Sequence, residues 1–135
     1  MRGETGKKGE DLASRYLVSG GFKILGRNVN YRPFGEIDII CRDKKGVLIF
    51  VEVKAMVAGY EAEEWQNLMP EDHANKSKLE KVRKACEMCL MRNPKLVHEA
   101  RGWRIDLIAI LFKQSPEKKE LVLGRDYELR HYENV

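Results

Sequence analysis

A chain of 135 residues with 43% hydrophobic and 34% charged residues has the size and composition of one domain, residues 1–135, able to bury its own core without cross-links. No stretch of about 18 apolar residues occurs, which excludes a membrane-spanning helix, and the charged start MRGETGKKGEDL lacks the apolar segment of a secretory signal, so a cytoplasmic location is expected. The net charge of +4 permits a polyanionic partner without requiring one, and the odd set Cys41, Cys86 and Cys89 argues against a disulfide framework.

In chain order, Leu12, Ala13, Tyr16 and Leu17 recur at helical spacing and predict a helix over Thr5–Ser19, stopped by Gly20-Gly21. Phe22–Asn30 reads as a strand, punctuated by Pro33 and Gly35. Glu36–Arg42 is a second strand, with Ile37 and Ile39 on one face and Glu36, Asp38 and Ile40 on the other. Val47–Ala55 is a third: Val47, Ile49, Val51 and Val53 share one face, and Leu48, Phe50, Glu52 and Lys54 the other. Met56–Met69 reads as a long loop holding Glu61, Glu63, Glu64 and Trp65. Asp72–Arg92 reads as a helix with the apolar stripe Leu79, Val82, Cys86, Cys89 and Leu90, ended by Asn93-Pro94. Trp103–Phe112 is a strongly apolar, central strand, Ser115–Lys119 a turn, and Leu121–His131 a last strand or edge segment. The expected fold class is therefore α/β, with one mixed β-sheet of about five strands flanked by helices.

The chemistry lies in GEIDII followed by VLIFVEVK. A three-residue loop Lys44-Lys45-Gly46 puts Gly46 at the left-handed position such loops favour and sets Asp43 opposite Val47. Counting back, Ile40 then faces Phe50, and Asp38 faces Glu52. A two-residue loop would shift the register by one and part the two acids. Opposed carboxylates repel unless a cation sits between them, and their hard oxygens suit Mg²⁺ or Mn²⁺. The backbone carbonyl of Val53 is a candidate third ligand, and Lys54, on the same face as Glu52, can hold a phosphate oxygen or orient a water. Metal and lysine together supply what phosphodiester hydrolysis needs. An E-x-K strand is commonly just a solvated face, but a charged cluster at the end of otherwise apolar strands demands a reason.

The blocks Gly6, Gly9, Glu10, Ala13 and Leu17; Gly35-Glu36-Ile37-Asp38-Ile39-Ile40; Phe50-Val51-Glu52-Val53-Lys54; Lys76 and Lys78; and Arg104-Ile105-Asp106-Leu107-Ile108 resemble the YraN-type family of endonuclease-like proteins over about residues 3 to 112. That family is similar to the PD-(D/E)xK nuclease superfamily and to archaeal-type Holliday-junction resolvases. The resemblance implies a restriction-endonuclease-like or resolvase-like core, a divalent metal and cleavage of DNA or a related nucleic acid. It implies metal binding by Asp38 and Glu52, a catalytic Lys54, and Glu10 as an additional acid near the metal. By analogy with resolvases, a homodimer is expected. Members of the family often carry a basic residue where this chain has Met56.

Lys76, Lys78, Lys81, Arg83 and Lys84 read either as a phosphate track or as a solvated helix face. With Arg104, the first three are the candidate nucleic-acid contacts. Trp65 either stacks on a base or covers the core edge. Cys86-Glu87-Met88-Cys89 has the form of a redox motif, but it lies deep within a helix, on its apolar stripe, where core packing is the better reading. Asp106 is either a buried acid paired with Arg104 or a peripheral part of the site.

Overall fold

Helix α1 (Glu4–Ser19) forms on the expected spacing and buries Gly9, Glu10, Leu12, Ala13 and Leu17. The structure, a computed structural model, describes residues 3–58, 76–114, 116, 117 and 120–135, residues 76–78 by backbone alone. The acids Glu61, Glu63 and Glu64, Trp65, the expected helix start at Asp72, and Ser115, Lys118 and Lys119 of the expected turn lie outside these residues. After α1 come β1 (Lys23–Asn30), β2 (Glu36–Arg42), β3 (Leu48–Val57), α2 (Lys76–Arg92), α3 (Pro94–Glu99), β4 (Trp103–Phe112) and β5 (Tyr127–Tyr132). The strands form one five-stranded sheet in sequence order, antiparallel throughout except for the parallel β3–β4 pair. This is the mixed α/β sheet that the order of elements predicts. Among the described residues, no helix is long and apolar enough to cross a membrane.

The sheet is covered on both faces, because its central strands are apolar on both. Leu12, Ala13 and Leu17 of α1 pack with Ile39, Cys41, Ile49, Val51, Ile108, Ile110 and Phe112. Ala85, Cys86 and Cys89 of α2 pack with Ile40, Leu48, Phe50 and Ile105 on the other face. The alternation predicted for β3 thus holds. The expectation that Ile37 shares a face with Ile39 does not: Ile37 packs with the α2 group, as does its β1 partner Val29. The strand faces exchange between Ile37 and Ile39, opposite Asn28, whose φ is +54°.

Several boundaries also move. β3 runs on through Met56 and Val57, expected to be loop, because β4 offers them partners in Leu111 and Phe112. Asn93-Pro94 ends α2 but also begins α3, since a proline at the first helical position needs no N–H donor there. The last strand starts at Tyr127 rather than Leu121. Before it, Asp126 Oδ2 accepts the Val122 N–H at 2.7 Å and closes a turn.

Asp106 ties the sheet to its surroundings. Fully buried, it is paired by Arg104 Nε at 2.9 Å, His131 Nε2 at 2.8 Å and the Asn134 N–H at 2.9 Å. His131 Nδ1 in turn meets Tyr16 Oη of α1 at 3.0 Å. Of the two readings left open, this is the structural one. Burial pushes the Asp106 carboxyl up, but the bonds from His131, Arg104 and Asn134 outweigh it and hold its pKa below the ordinary carboxylate value. A carboxyl depressed on folding stabilises above its unfolded pKa of about 3.9, and that contribution is lost as pH falls through the folded value. Urea unfolding of Asp106→Asn should therefore show a loss of about 3 kcal/mol near neutral pH. The gap from wild type should narrow below about pH 4. An equal gap at all pH values would contradict this role.

Candidate functional site

The site begins at the β2–β3 turn. Asp43 Oδ1 accepts the N–H groups of Lys45 and Val47, both at 2.9 Å, and Gly46 adopts φ +90°. A residue with a Cβ is strained in that conformation, so the glycine fixes the loop length. The Asp43 N–H donates to the Val47 carbonyl at 3.1 Å, and the ladder follows as Arg42–Leu48, Cys41–Ile49, Ile40–Phe50 and Ile39–Val51. This is the register expected from the three-residue loop. The next rung would pair Asp38 with Glu52, and there the ladder stops. Instead, the Val53 N–H donates to Asp38 Oδ2 at 2.8 Å. A carboxylate has taken the place of the β2 backbone.

The consequence is a gap between β2 and β3 edged by oxygen. In an extended strand, the N–H and C=O of one residue point to the same side. Since the Val53 N–H faces Asp38, the Val53 carbonyl faces the same gap. Glu52 stands on the α2 side of β3, close enough to Cys86 for its charge to act on that thiol. Lys54 follows two residues later on the same face. Both are half-buried on a strand held in register by β4, through Glu52–Leu107 and Lys54–Ala109.

Glu10 comes from the other layer. It is 2% exposed on α1. Its neighbour Gly9 lets the helix lie against β3 beside the acidic strand segment: a Cβ there would sit 2.9 Å from Ala55 Cβ and 3.8 Å from Val53 Cγ1. Among the described residues, no three His, Cys, Asp or Glu side chains gather into a metal cluster. At the end of the ladder the structure shows one carboxylate, Asp38, bonded to β3, with the Val53 carbonyl on the same side and Glu52 next to it in the strand on the α2 face. Such oxygens suit a hard cation such as Mg²⁺, which keeps several waters and takes few protein oxygens.

The candidate nucleic-acid residues are dispersed. Lys76 and Lys78 begin α2, and Lys81 is exposed one turn further on. Arg83 lies over Trp103, Lys84 over Phe34 and Arg92 over Tyr31, each about 6 Å from the ring centre. The Arg104 guanidinium is engaged by Asp106 and, at 3.7 Å, by Glu133. Met56 is fully buried beside Ala109 and Leu111, so position 56 faces the core here. A cleft of about 360 Å³ lies elsewhere, between α1 and Glu117 and Leu121. Sequence reasoning misses Asn28. Its only signal is that asparagine tolerates a left-handed backbone better than other residues with a Cβ.

Cys86 and Cys89 are buried in the core, as the apolar stripe predicts. Burial, then the charges of Cys89 and Glu52, raises the Cys86 pKa, and burial pushes Cys41 up to about 12. Neither Cys41 nor Cys86 is a poised redox thiol. In native protein near pH 8, thiol reagents should label Cys41 and Cys86 about 10³-fold more slowly than a free thiol, the lag vanishing in denaturant. Labelling of Cys86 at the free-thiol rate would contradict the core assignment.

The sequence pattern described as "Uncharacterised protein family UPF0102" matches residues 9–110. A UPF0102 protein of Campylobacter concisus is 38% identical over 105 residues, covering 78% of this chain and 81% of its own. One of Pseudothermotoga lettingae is 37% identical over 107 residues, 79% of this chain and 88% of its own. One of Thermodesulfovibrio yellowstonii is 32% identical over 132 residues, 98% of this chain and 95% of its own. The matched span holds Glu10, Asp38, Glu52 and Lys54 together, and the chain belongs to the UPF0102 (YraN) family.

Proposed function

We propose that this protein is a divalent-metal-dependent endonuclease acting on DNA, with its site in the gap between β2 and β3. One observation carries the reading: where the ladder ends, Asp38 accepts the Val53 N–H at 2.8 Å, so a carboxylate stands where a β2 backbone acceptor would, beside the strand segment that holds Glu52 and Lys54. Hard carboxylate and carbonyl oxygens near one another are the donors that a divalent cation takes. Asp38, Glu52 and the Val53 carbonyl would hold Mg²⁺ or Mn²⁺. When bound, such an ion supplies Lewis acidity and neutralises charge at the scissile phosphate.

The chain's own groups do the rest. Lys54 presents a charged donor on the Glu52 face, to hold a non-bridging phosphate oxygen or orient the attacking water. Glu10 adds negative charge from the α1 layer. Lys76, Lys78 and Lys81 offer phosphate contacts that set affinity rather than sequence choice, as does whatever capacity Arg104 has beyond its ion pairs. A branched or single-stranded substrate and a homodimer suit the resolvase likeness. A second reading is a binding module that keeps the fold without cleaving. It draws on the lack, among the described residues, of a three-acid cluster.

The test is a panel of duplex, flap and four-way-junction DNA incubated with Mn²⁺. Wild type should cut at least one substrate, Asp38→Asn and Lys54→Ala should each lower the rate by about 10²-fold or more, and Asp38→Asn should still bind DNA. Binding without any cleavage would favour the second reading. Cleavage by Asp38→Asn at the wild-type rate would refute the site.

A further inference from the structure

The exchange of faces in the β1–β2 hairpin occurs at one level. Arg27 pairs with Ile39 and Val29 with Ile37, so Asn28 stands level with Asp38 between those rungs. On one side of this level the residues face α1: Arg27 Nη2 bonds Asp11 at 2.8 Å, and Ile39 packs with Leu12, Ala13 and Leu17. On the other, Val29 and Ile37 pack with the α2 group. Residues two apart in a regular strand share a face. Both strands therefore reverse where Asn28 takes φ +54°, a conformation costly to any residue with a Cβ and least so to asparagine or aspartate. The Asn28 Oδ1 is buried and accepts no hydrogen bond among the described residues. That oxygen thus gives no local return for the strain. Such strain persists only where the surroundings dictate it, and it concentrates at functional sites.

We propose that Asn28 is a positioning residue for the site: its left-handed backbone reverses the hairpin at the level of Asp38 and turns that carboxylate out of the sheet face into the gap, onto the Val53 N–H. At a reversal a side chain need not stand on either face, so it can lie along the sheet and reach the neighbouring strand. In a regular β2, Asp38 would stand on the sheet face beside Ile40, and the Val53 N–H would face the β2 backbone. The backbone of Asn28, and not its amide, is what the site uses. The proposal rests on the nuclease reading only for its consequence, the placement of a metal ligand.

Hydrogen exchange at the Val53 amide reads the contact directly in the full chain, without metal or nucleic acid. Glycine adopts the left-handed conformation freely, whereas valine resists it. Val53 protection in Asn28→Gly should stay within about 3-fold of wild type once global stability is corrected for. In Asn28→Val it should fall by about 10-fold or more, with the rest of the β3–β4 ladder unchanged. Asn28→Ala serves if the valine variant does not fold. Mn²⁺ affinity should follow the same order, with Asn28→Gly close to wild type. Equal loss of Val53 protection in Asn28→Gly and Asn28→Val would assign the role to the amide and overturn the proposal, as would full protection in Asn28→Val. If wild type binds no Mn²⁺, the nuclease reading fails, while the exchange result still decides the role of Asn28.

Discussion

The Asp43 carboxylate closes the turn on which everything downstream depends. By taking two backbone N–H groups while Gly46 goes left-handed, it sets the loop at three residues. That length fixes the β2–β3 register, and a one-residue slip would send Glu52 and Lys54 to the face under α1. The β3–β4 ladder then carries the register into the sheet centre, so the acid and the lysine stand on a strand that cannot slide. A site built on a paired interior strand keeps its geometry better than one built on a loop.

Against that rigid side the structure sets an opening. The β2–β3 ladder ends after Ile39–Val51, and the Val53 N–H is satisfied by a side chain. Exchanging a backbone acceptor for a carboxylate keeps the donor bonded and adds negative charge where the strands part. Two devices hold the opening in place. On one layer, Gly9 lets α1 approach Val53 and Ala55 and brings Glu10 with it. In the sheet, the reversed hairpin at Asn28 aims Asp38. The Asp106 network acts further away, joining α1, β4 and the C-terminal segment, and it makes that carboxylate a structural element.

Much of this was legible in the residues. Alternation in LIFVEVK gave the two faces of β3, and Asp43 with Gly46 gave the turn and hence the register. The stripe through Cys86 and Cys89 placed those thiols in the core. What alternation could not show was its own interruption: Ile37 and Ile39 read as one face because a left-handed Asn28 on the neighbouring strand leaves no mark in β2. Met56 read as loop because its partner strand lies more than fifty residues on, and pairing across such a distance overrides local pattern. The Arg104–Asp106 pair, one of two readings the spacing left open, is the one the structure makes.

The central claim is that the gap between β2 and β3 is a cation site made by Asp38, Glu52 and the Val53 carbonyl. Anomalous scattering from crystals grown with Mn²⁺ tests it most directly. One peak should appear at coordination distance, about 2 Å, from oxygens of both carboxylates. A well-ordered gap without that peak at saturating Mn²⁺, or an ion bound only elsewhere on the fold, would contradict the account.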